Sequence, residues 1–271
     1  MKLRTILFHS RALFGLNGAD PDFLIIGAQK SGTTSLFRYI TQSPQFIRSA
    51  GKELHYFDRK YDRPFSYYRR QFPRRSGDRF TGEASPSYLF FDFVSERVAT
   101  HLPDIKIIAT LRNPIDRALS QFNHNKLRDR FMQVDGREIT TFEEHVEHNL
   151  AMDMASEKSL DDLKNFYIVE RGFYQDQIEN WLGHFGPGQF HFIDFDALTG
   201  NPQGEVDRLM QFLGRPRYDL ASAKQFNSGG GYSRAVAPDT LAALTDLYRR
   251  KNAGLSALVG FDTERWFQDN P

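Results

Sequence analysis

The sequence contains no cysteine. A chain without cysteine cannot form disulfides, use a thiolate as nucleophile or bind zinc through sulfur, and this composition suits a reducing compartment. Excess charge is also small, because 35 Lys and Arg residues stand against 34 Asp and Glu residues and leave a net charge of +1. Bulk charge therefore indicates neither a nucleic-acid partner nor binding to a membrane surface.

Long hydrophobic runs are also missing. The apolar run within Met1–His9 is too short for a transmembrane helix or a secretory signal peptide. We therefore expect a cytoplasmic protein with no stable membrane insertion, in which residues 1–21 form a loosely ordered segment before one domain over residues 22–271. What is present, 40% hydrophobic and 14% aromatic residues, is sufficient for a large core.

Short segments rich in Ile and Phe predict buried strands. They are Phe23–Ile26, Ile105–Thr110 and Phe190–Phe195. Each is followed by a helical pattern, which predicts parallel strands joined by crossover helices. Further helices are predicted after Glu170, over Glu205–Leu213 and over Pro238–Arg250. The expected fold is α/β, with a central parallel β-sheet flanked by helices on both faces.

The first predicted strand runs into a glycine-bounded loop and a helix start, Gly27–Ser35. Its glycines have the G-x-x-x-x-G spacing of a P-loop, but Thr33 stands where the ATP-binding pattern has its lysine. Polar donors crowd around Gly32 and would be costly to bury without a partner. These donors are Lys30, Ser31, Thr33, Thr34 and Ser35. The loop therefore predicts a P-loop-like phosphate site that is not built for ATP.

A second candidate anion site follows the second predicted strand. Arg112 comes directly after Leu111, and Ser120 lies about two helical turns further on. Open α/β sheets bind ligands at the carboxyl ends of their strands, so Arg112 and the Gly27–Ser35 loop share one edge. An arginine gives phosphate a planar two-pronged contact, and Ser120 adds a hydroxyl. Two anion sites on one edge predict a nucleotide with phosphates at both ends.

These segments together resemble the PAPS-dependent sulfotransferases, where PAPS is 3′-phosphoadenosine 5′-phosphosulfate. Gly27–Ser35 is similar to their 5′-phosphosulfate loop, and Arg112 with Ser120 is similar to their 3′-phosphate motif. Lys52–Asp58 resembles the segment that carries the catalytic glutamate in the N- and 3-O-sulfotransferases of heparan sulfate biosynthesis. Further segments fall in the same order over roughly residues 22 to 235, namely Thr81–Tyr88, Arg171–Tyr174 and Phe212–Gly214. The resemblance implies one sulfotransferase domain.

The resemblance also implies an activity. The expected enzyme moves the sulfuryl group of PAPS to an acceptor hydroxyl or amine by in-line displacement without a metal. The resemblance favours a carbohydrate or glycolipid acceptor, and the hydroxyl of a small lipid or natural product stays open as an alternative. Glu53 is expected to be the general base, and Lys30 to contact the bridging oxygen and the sulfuryl group. His55 is expected to orient the acceptor or share the proton, because in an extended strand it would face the same side as Glu53.

The expected nucleotide site collects both anion motifs. Its residues are Lys30, Ser31, Gly32, Thr33, Thr34, Ser35, Arg112, Ser120 and Arg234. No metal is expected, because the second strand ends in Thr110-Leu111-Arg112 and has no Walker-B aspartate. Glu144, His145 and His148 have a metal-like spacing, but no further ligand accompanies them and we interpret them as a polar helix face.

The resemblance is incomplete at two points. Ala84 follows Glu83 where the 3-O branch has a lysine, and Asn227–Ala235 is shorter than the cysteine-bounded loop of that branch. Arg234 lies in this shorter loop, so its match to the phosphate contact is loose. These differences concern the heparan substrate and leave the nucleotide chemistry intact, and the sequence does not indicate an oligomeric state.

Two other interpretations stay open at this level, a P-loop kinase or NTPase and a non-catalytic binder of nucleotides or polyanions. The second would use the basic stretch Arg59–Arg79, which holds eight Lys and Arg against two Asp, with aromatics interleaved. This stretch is either a solvated surface over packed aromatics or a lip that attracts an anionic or sugar acceptor.

Overall fold

The structure is a computed structural model that describes residues 18–73, 77–151, 167–223 and 236–268. The strands are β1 (Phe23–Gly27), β2 (Gly82–Ala84), β3 (Lys106–Leu111), β4 (Met132–Val134), β5 (Arg137–Ile139) and β6 (Phe190–Asp194). The helices of the first half are α1 (Thr33–Ile40), α2 (Tyr56–Arg59), α3 (Phe65–Arg69), α4 (Asp92–His101) and α5 (Pro114–Lys126). Those of the second half are α6 (Phe142–Ala151), α7 (Tyr174–Leu182), α8 (Phe195–Gly200), α9 (Pro202–Phe212), α10 (Pro238–Lys251) and α11 (Leu255–Val259).

The central sheet is parallel and has the strand order β2-β1-β3-β6. In its register Leu24 lies opposite Glu83 on one side and Ile107 on the other. The three predicted strands are confirmed to within one residue at each end. Strand β2 and the antiparallel hairpin β4–β5 were not predicted, because three residues are too few to show a periodic pattern.

Successive side chains of the strands point to opposite faces, and each face meets its own layer of helices. One face, with Leu24, Ile26 and Ile107, packs against α4, α5, α7, α10 and α11. The other face, with Phe23 and Ile25, packs against α1, α8 and α9. Burial on both sides explains why the strands are almost wholly apolar, and it confirms the predicted layers.

The described part of the basic stretch, residues 59–73 and 77–79, is mostly a charged surface over packed rings. Tyr68 and Phe72 are buried in the core, and Tyr61 and Phe65 are half-buried against it, whereas Tyr67 is exposed. The structure therefore favours a solvated face with aromatics packed underneath.

Some predictions lie outside the described residues. Arg234 and all of Asn227–Ala235 belong to the undescribed range 224–235, and residues 1–17 of the predicted N-terminal segment are also undescribed. The domain boundary at residue 22 therefore stays a prediction. Over the described ranges, no helix has both the length and the apolar character needed to cross a membrane.

Candidate active site

The anion loop, Gly27–Ser35, joins β1 to α1 at the carboxyl edge of the sheet. Gly32 has φ 83° and precedes the first helical residue, Thr33, and a Cβ at Gly32 would lie 3.1 Å from the Phe195 ring. Only glycine suits this combination of left-handed backbone and close approach. The first turn of α1 has no acidic residue and no side-chain cap, so its N–H groups face a site that favours an anion.

Lys30 lies in the anion loop with its side chain half-buried. Burial, together with the positive charges of Arg128, Arg112 and Arg117, lowers its pKa from 10.5 to about 8. All the charged groups that shift this pKa are cations, so the loop concentrates positive charge before any ligand binds. Such a site offers an incoming phosphate or sulfate group attraction from several sides.

Arg112 follows β3 and lies beside the anion loop, as predicted. Its guanidinium is 4.8 Å from the centre of the Phe195 ring, and its Nη2 is 3.1 Å from Asp116 Oδ2. The Arg112 Nε is buried and has no partner within the described residues, and the Tyr174 hydroxyl donates to the Arg112 carbonyl at 3.0 Å. Ser120 is half-buried on α5, the same helix that carries Arg117. An oxyanion near Arg112 would find an arginine already fixed in position.

The candidate base, Glu53, lies in a chain of polar contacts. Its Oε1 accepts from Lys52 Nζ at 3.0 Å, and its Oε2 lies 3.4 Å from His55 Nε2. The other nitrogen of that ring, Nδ1, lies 3.0 Å from Asp58 Oδ2, which also accepts from the Ser87 hydroxyl at 2.6 Å. Glu53, His55 and Asp58 therefore form a continuous carboxylate–imidazole–carboxylate arrangement.

The electrostatics of this arrangement favour a charged histidine. The hydrogen bond with His55, reinforced by the charge of Lys52, lowers the pKa of Glu53 from 4.5 to about 2. Burial opposes protonation of His55, but hydrogen bonds to Asp58 and Glu53 outweigh it and raise its pKa from 6.5 to about 9. Near neutral pH the structure therefore holds an imidazolium between two carboxylates.

The predicted geometry of Glu53 and His55 was wrong in one respect. We expected an extended strand, but His55 has φ 52° and ψ 42° and stands immediately before α2. The reason lies in the residues that follow β2, since His55 N–H donates to the Ser85 hydroxyl and Tyr56 N–H donates to the Tyr88 hydroxyl. These contacts turn the chain, and the two side chains still meet.

Sequence reasoning missed Glu83 as a functional support. This carboxylate of β2 is fully buried, and it accepts from Leu54 N–H at 3.0 Å and from the hydroxyls of Ser85, Tyr68 and Tyr88. Burial raises its pKa against the effect of these donors. Glu83 thus fixes the backbone between Glu53 and His55. The sequence carried no clear signal for this role, because the strand that buries Glu83 has only three residues.

His124 and Lys52 were also missed. Burial and the charges of Lys30, Arg128 and Arg130 lower the pKa of His124 to about 4, so a neutral imidazole lies near the anion loop. Lys52 Nζ donates to Thr34 Oγ1 at 2.8 Å, besides its contact with Glu53. The position of His124 near the anion loop depends on how α5 packs in the fold, which the sequence does not show. The contact of Lys52 with Thr34 joins two segments that are separate in the sequence.

The histidine pattern on α6 does not form a metal site. His145 is buried against Phe122, and Glu144 pairs with Arg137. Within the ranges that the structure describes, no three His, Asp or Glu side chains come together as a ligand set. The interpretation of His145 as polar helix face needs a correction, because its ring is 2% exposed and packs inside.

The chain is similar to known proteins. The family described as sulfotransferase domain matches residues 20–227. Human heparan sulfate glucosamine 3-O-sulfotransferase 3B1 is 29% identical over 212 residues, which are 78% of this chain and 50% of that protein. The chain thus spans about half the length of the curated relatives it matches.

Two solved structures agree with this match. The sulfotransferase from Alicyclobacillus acidocaldarius superposes with a TM-score of 0.74 and 30% identity, over 92% of this chain and 99% of that one. Mouse sulfotransferase SULT7A1, complexed with PAP, gives a TM-score of 0.54 at 14% identity, over 93% of this chain and 90% of that chain, and shows the fold alone. This chain belongs to the sulfotransferase family.

Proposed function

We propose that this protein transfers the sulfuryl group of PAPS to a hydroxyl or amine of a carbohydrate or glycolipid acceptor, with Glu53 as general base. One observation carries the proposal. The Glu53 carboxylate lies beside the cationic anion loop, joined to it through Lys52, which contacts both Glu53 and Thr34. Transfer of a group from an anionic donor to a protic acceptor requires a base next to the anion-binding loop.

The donor would occupy the carboxyl edge of the sheet. Lys30 and the residues Ser31–Ser35 would hold the 5′-phosphosulfate, and Arg112 with Ser120 would hold the 3′-phosphate. The family supports PAPS as the donor, and a fold neighbour complexed with PAP is consistent with a site for this nucleotide. We also keep Arg234 as a proposed phosphate contact from the resemblance.

The reaction would be an in-line displacement at sulfur. The acceptor oxygen or nitrogen forms the new bond to sulfur while the bond from sulfur to the bridging oxygen breaks and 3′,5′-ADP leaves. Lys30 and the N–H groups that begin α1 stabilise the negative charge on that oxygen. The acceptor proton passes to Glu53, and no step requires a metal ion.

His55 and Asp58 would position the base rather than replace it. An imidazolium whose Nδ1 is fixed by Asp58 presents its Nε2 to Glu53, which sets the direction of the carboxylate. A carboxylate with a pKa of about 2 is a weak base, so the complex with bound substrates must weaken the contacts that hold it charged.

The acceptor class follows from the relatives alone. A curated relative acts on heparan sulfate glucosamine, which supports a glycan acceptor here. Ala84 is fully buried in the core, at the position where the resemblance expects a lysine in the 3-O branch. The proposal is therefore a glycan or glycolipid acceptor of unspecified sulfated position.

The test is transfer of label from [35S]PAPS to a panel of sugars, glycolipids and phenols, with Glu53→Gln and, as matched control, the exposed Glu96→Gln on α4. We expect Glu53→Gln to lower kcat by about 10³-fold while 3′,5′-ADP still binds. Unchanged transfer in this variant would refute the base assignment. Binding of 3′,5′-ADP with no transfer to any acceptor would favour a non-catalytic binder, and competition by ATP would revive the NTPase interpretation.

A further inference from the structure

Lys52 lies between two parts of the site, the anion loop and the candidate base Glu53. Its ammonium donates to Thr34 Oγ1 at 2.8 Å and to Glu53 Oε1 at 3.0 Å. Thr34 belongs to the first turn of α1, where the anion loop gathers its donors. One side chain therefore touches the candidate base and the edge of the proposed donor site at the same time.

This position differs from that of an ordinary surface lysine. The Lys52 side chain is 22% exposed, and its backbone carbonyl accepts from Ala84 N–H at 2.9 Å, which fixes the residue against β2. An ammonium group carries three donors, so two of them are used and one can bind another acceptor. Its two present partners, a hydroxyl and a carboxylate, together carry less negative charge than a bound phosphosulfate would.

We propose that Lys52 is a further catalytic residue, whose ammonium holds Glu53 in the ligand-free protein and moves onto the sulfuryl oxygens when the donor binds. This inference rests on the proposed function. Its consequence is that the base becomes stronger when a donor is in place, because one of the two groups that hold the carboxylate, Lys52 beside His55, is the group that the sulfuryl oxygens attract.

The reaction is the same in-line displacement at sulfur. The acceptor oxygen or nitrogen forms its bond to sulfur, the bond from sulfur to the bridging oxygen breaks, and the proton moves to Glu53. Lys52 keeps its protons throughout and stabilises charge on the non-bridging sulfuryl oxygens. Because Glu53 loses one cationic contact, its carboxylate is a stronger base in the donor-bound state than in the ligand-free state.

The experiment compares affinity for two nucleotides that differ by the sulfuryl group. In Lys52→Met, the Kd of PAPS should rise about tenfold, as expected for loss of one charge-assisted contact, whereas the Kd of 3′,5′-ADP should change less than about twofold. The kcat should fall by about 10²-fold, and Lys52→Arg should recover part of that loss. Equal changes for PAPS and 3′,5′-ADP, or none, would overturn the inference.

Lys60→Met is the matched control, because Lys60 Nζ donates to the Leu54 carbonyl at 2.7 Å and so anchors the same segment. If loosening of that segment explained the effect of Lys52→Met, Lys60→Met would reproduce it, and the inference would be wrong.

A second measurement does not depend on turnover. The side-chain carboxyl of Glu53, labelled with 13C and assigned with Glu53→Gln, should titrate at higher pH with PAPS than with 3′,5′-ADP, and an identical titration would overturn the inference. A wild-type protein that neither binds PAPS nor transfers sulfuryl groups would overturn the proposed function and this inference together. An active wild type with an unaffected Lys52→Met would overturn the role of Lys52 alone.

Discussion

Replacing Lys30 with methionine should make the ligand-free protein more stable while it removes donor binding. Lys30 is charged in a site where burial and neighbouring cations disfavour charge. Methionine has a similar length, carries no charge and meets the same backbone cost at φ 72°. The variant therefore isolates the cost of an ammonium group that is kept for function.

The magnitude follows from the change in pKa from 10.5 in the unfolded chain to about 8 in the folded protein. At about 1.36 kcal/mol per pKa unit this is about 3.4 kcal/mol, and because the side chain is partly exposed we expect about 2 kcal/mol. Between pH 8 and 10.5 the unfolded chain holds the proton and the folded protein does not, so stability rises with pH. The penalty is complete below pH 8 and is lost as the pH approaches 10.5.

Urea denaturation from pH 7 to pH 9.5 measures this. Lys30→Met should exceed wild type in free energy of unfolding by about 2 kcal/mol at pH 7, and the advantage should fall by about half near pH 9.5. Lys126→Met, an exposed lysine on α5, is the control and should show no such trend. Saturating 3′,5′-ADP, at about 100 times its Kd, should add about 2.7 kcal/mol to wild type only. A Lys30→Met protein that is less stable at pH 7, or a difference independent of pH, would refute the reasoning.

Three further outcomes are expected. Arg112→Ala should weaken 3′,5′-ADP binding by about 10²-fold in calorimetry, since a charged two-pronged contact is lost, and unaltered affinity would remove the 3′-phosphate assignment. Asp58→Asn should lower the pKa of His55 from about 9, because a carboxylate partner disappears, and the alkaline limb of kcat/KM should move toward neutral pH; an unmoved limb would contradict the arrangement. Glu83→Ala should cost about 3 kcal/mol in urea denaturation, because Leu54 N–H and the buried hydroxyls lose their acceptor, and a cost near that of an exposed glutamate would contradict the anchoring role.

The donor half of the site could be predicted because its features are local. The loop Gly27–Ser35 is recognisable from the glycines and hydroxyls within one short segment, and Arg112 directly follows an apolar strand. Parallel strands then bring both to one edge, whatever the details of the helices. Predicting β1, β3 and β6 was therefore sufficient to place these residues together.

The base half could not be derived in the same way. The turn at His55 depends on acceptors from Ser85 and Tyr88, which lie about thirty residues later in the chain. The strand that carries Glu83 has three residues and no readable period. Without the family resemblance, Glu53 would be interpreted as an ordinary partner of Lys52, and the structure shows that this pairing exists. Sequence reasoning did not show the second contact of Lys52, to Thr34.

The two halves of the site also differ in how they affect the ligand-free protein. Cations crowd the donor half, so Lys30 is held in a state that the fold disfavours. Opposite charges meet in the base half, where depressed carboxylate pKa values and a raised His55 pKa mark contacts that the fold favours. The destabilising contribution of Lys30 becomes smaller as pH rises through about 8. The stabilising contribution of His55 is lost as pH rises through about 9. Donor binding neutralises the charge of the anion loop and, by attracting Lys52, removes one of the two contacts that hold Glu53, so one event should relieve the loop and strengthen the base.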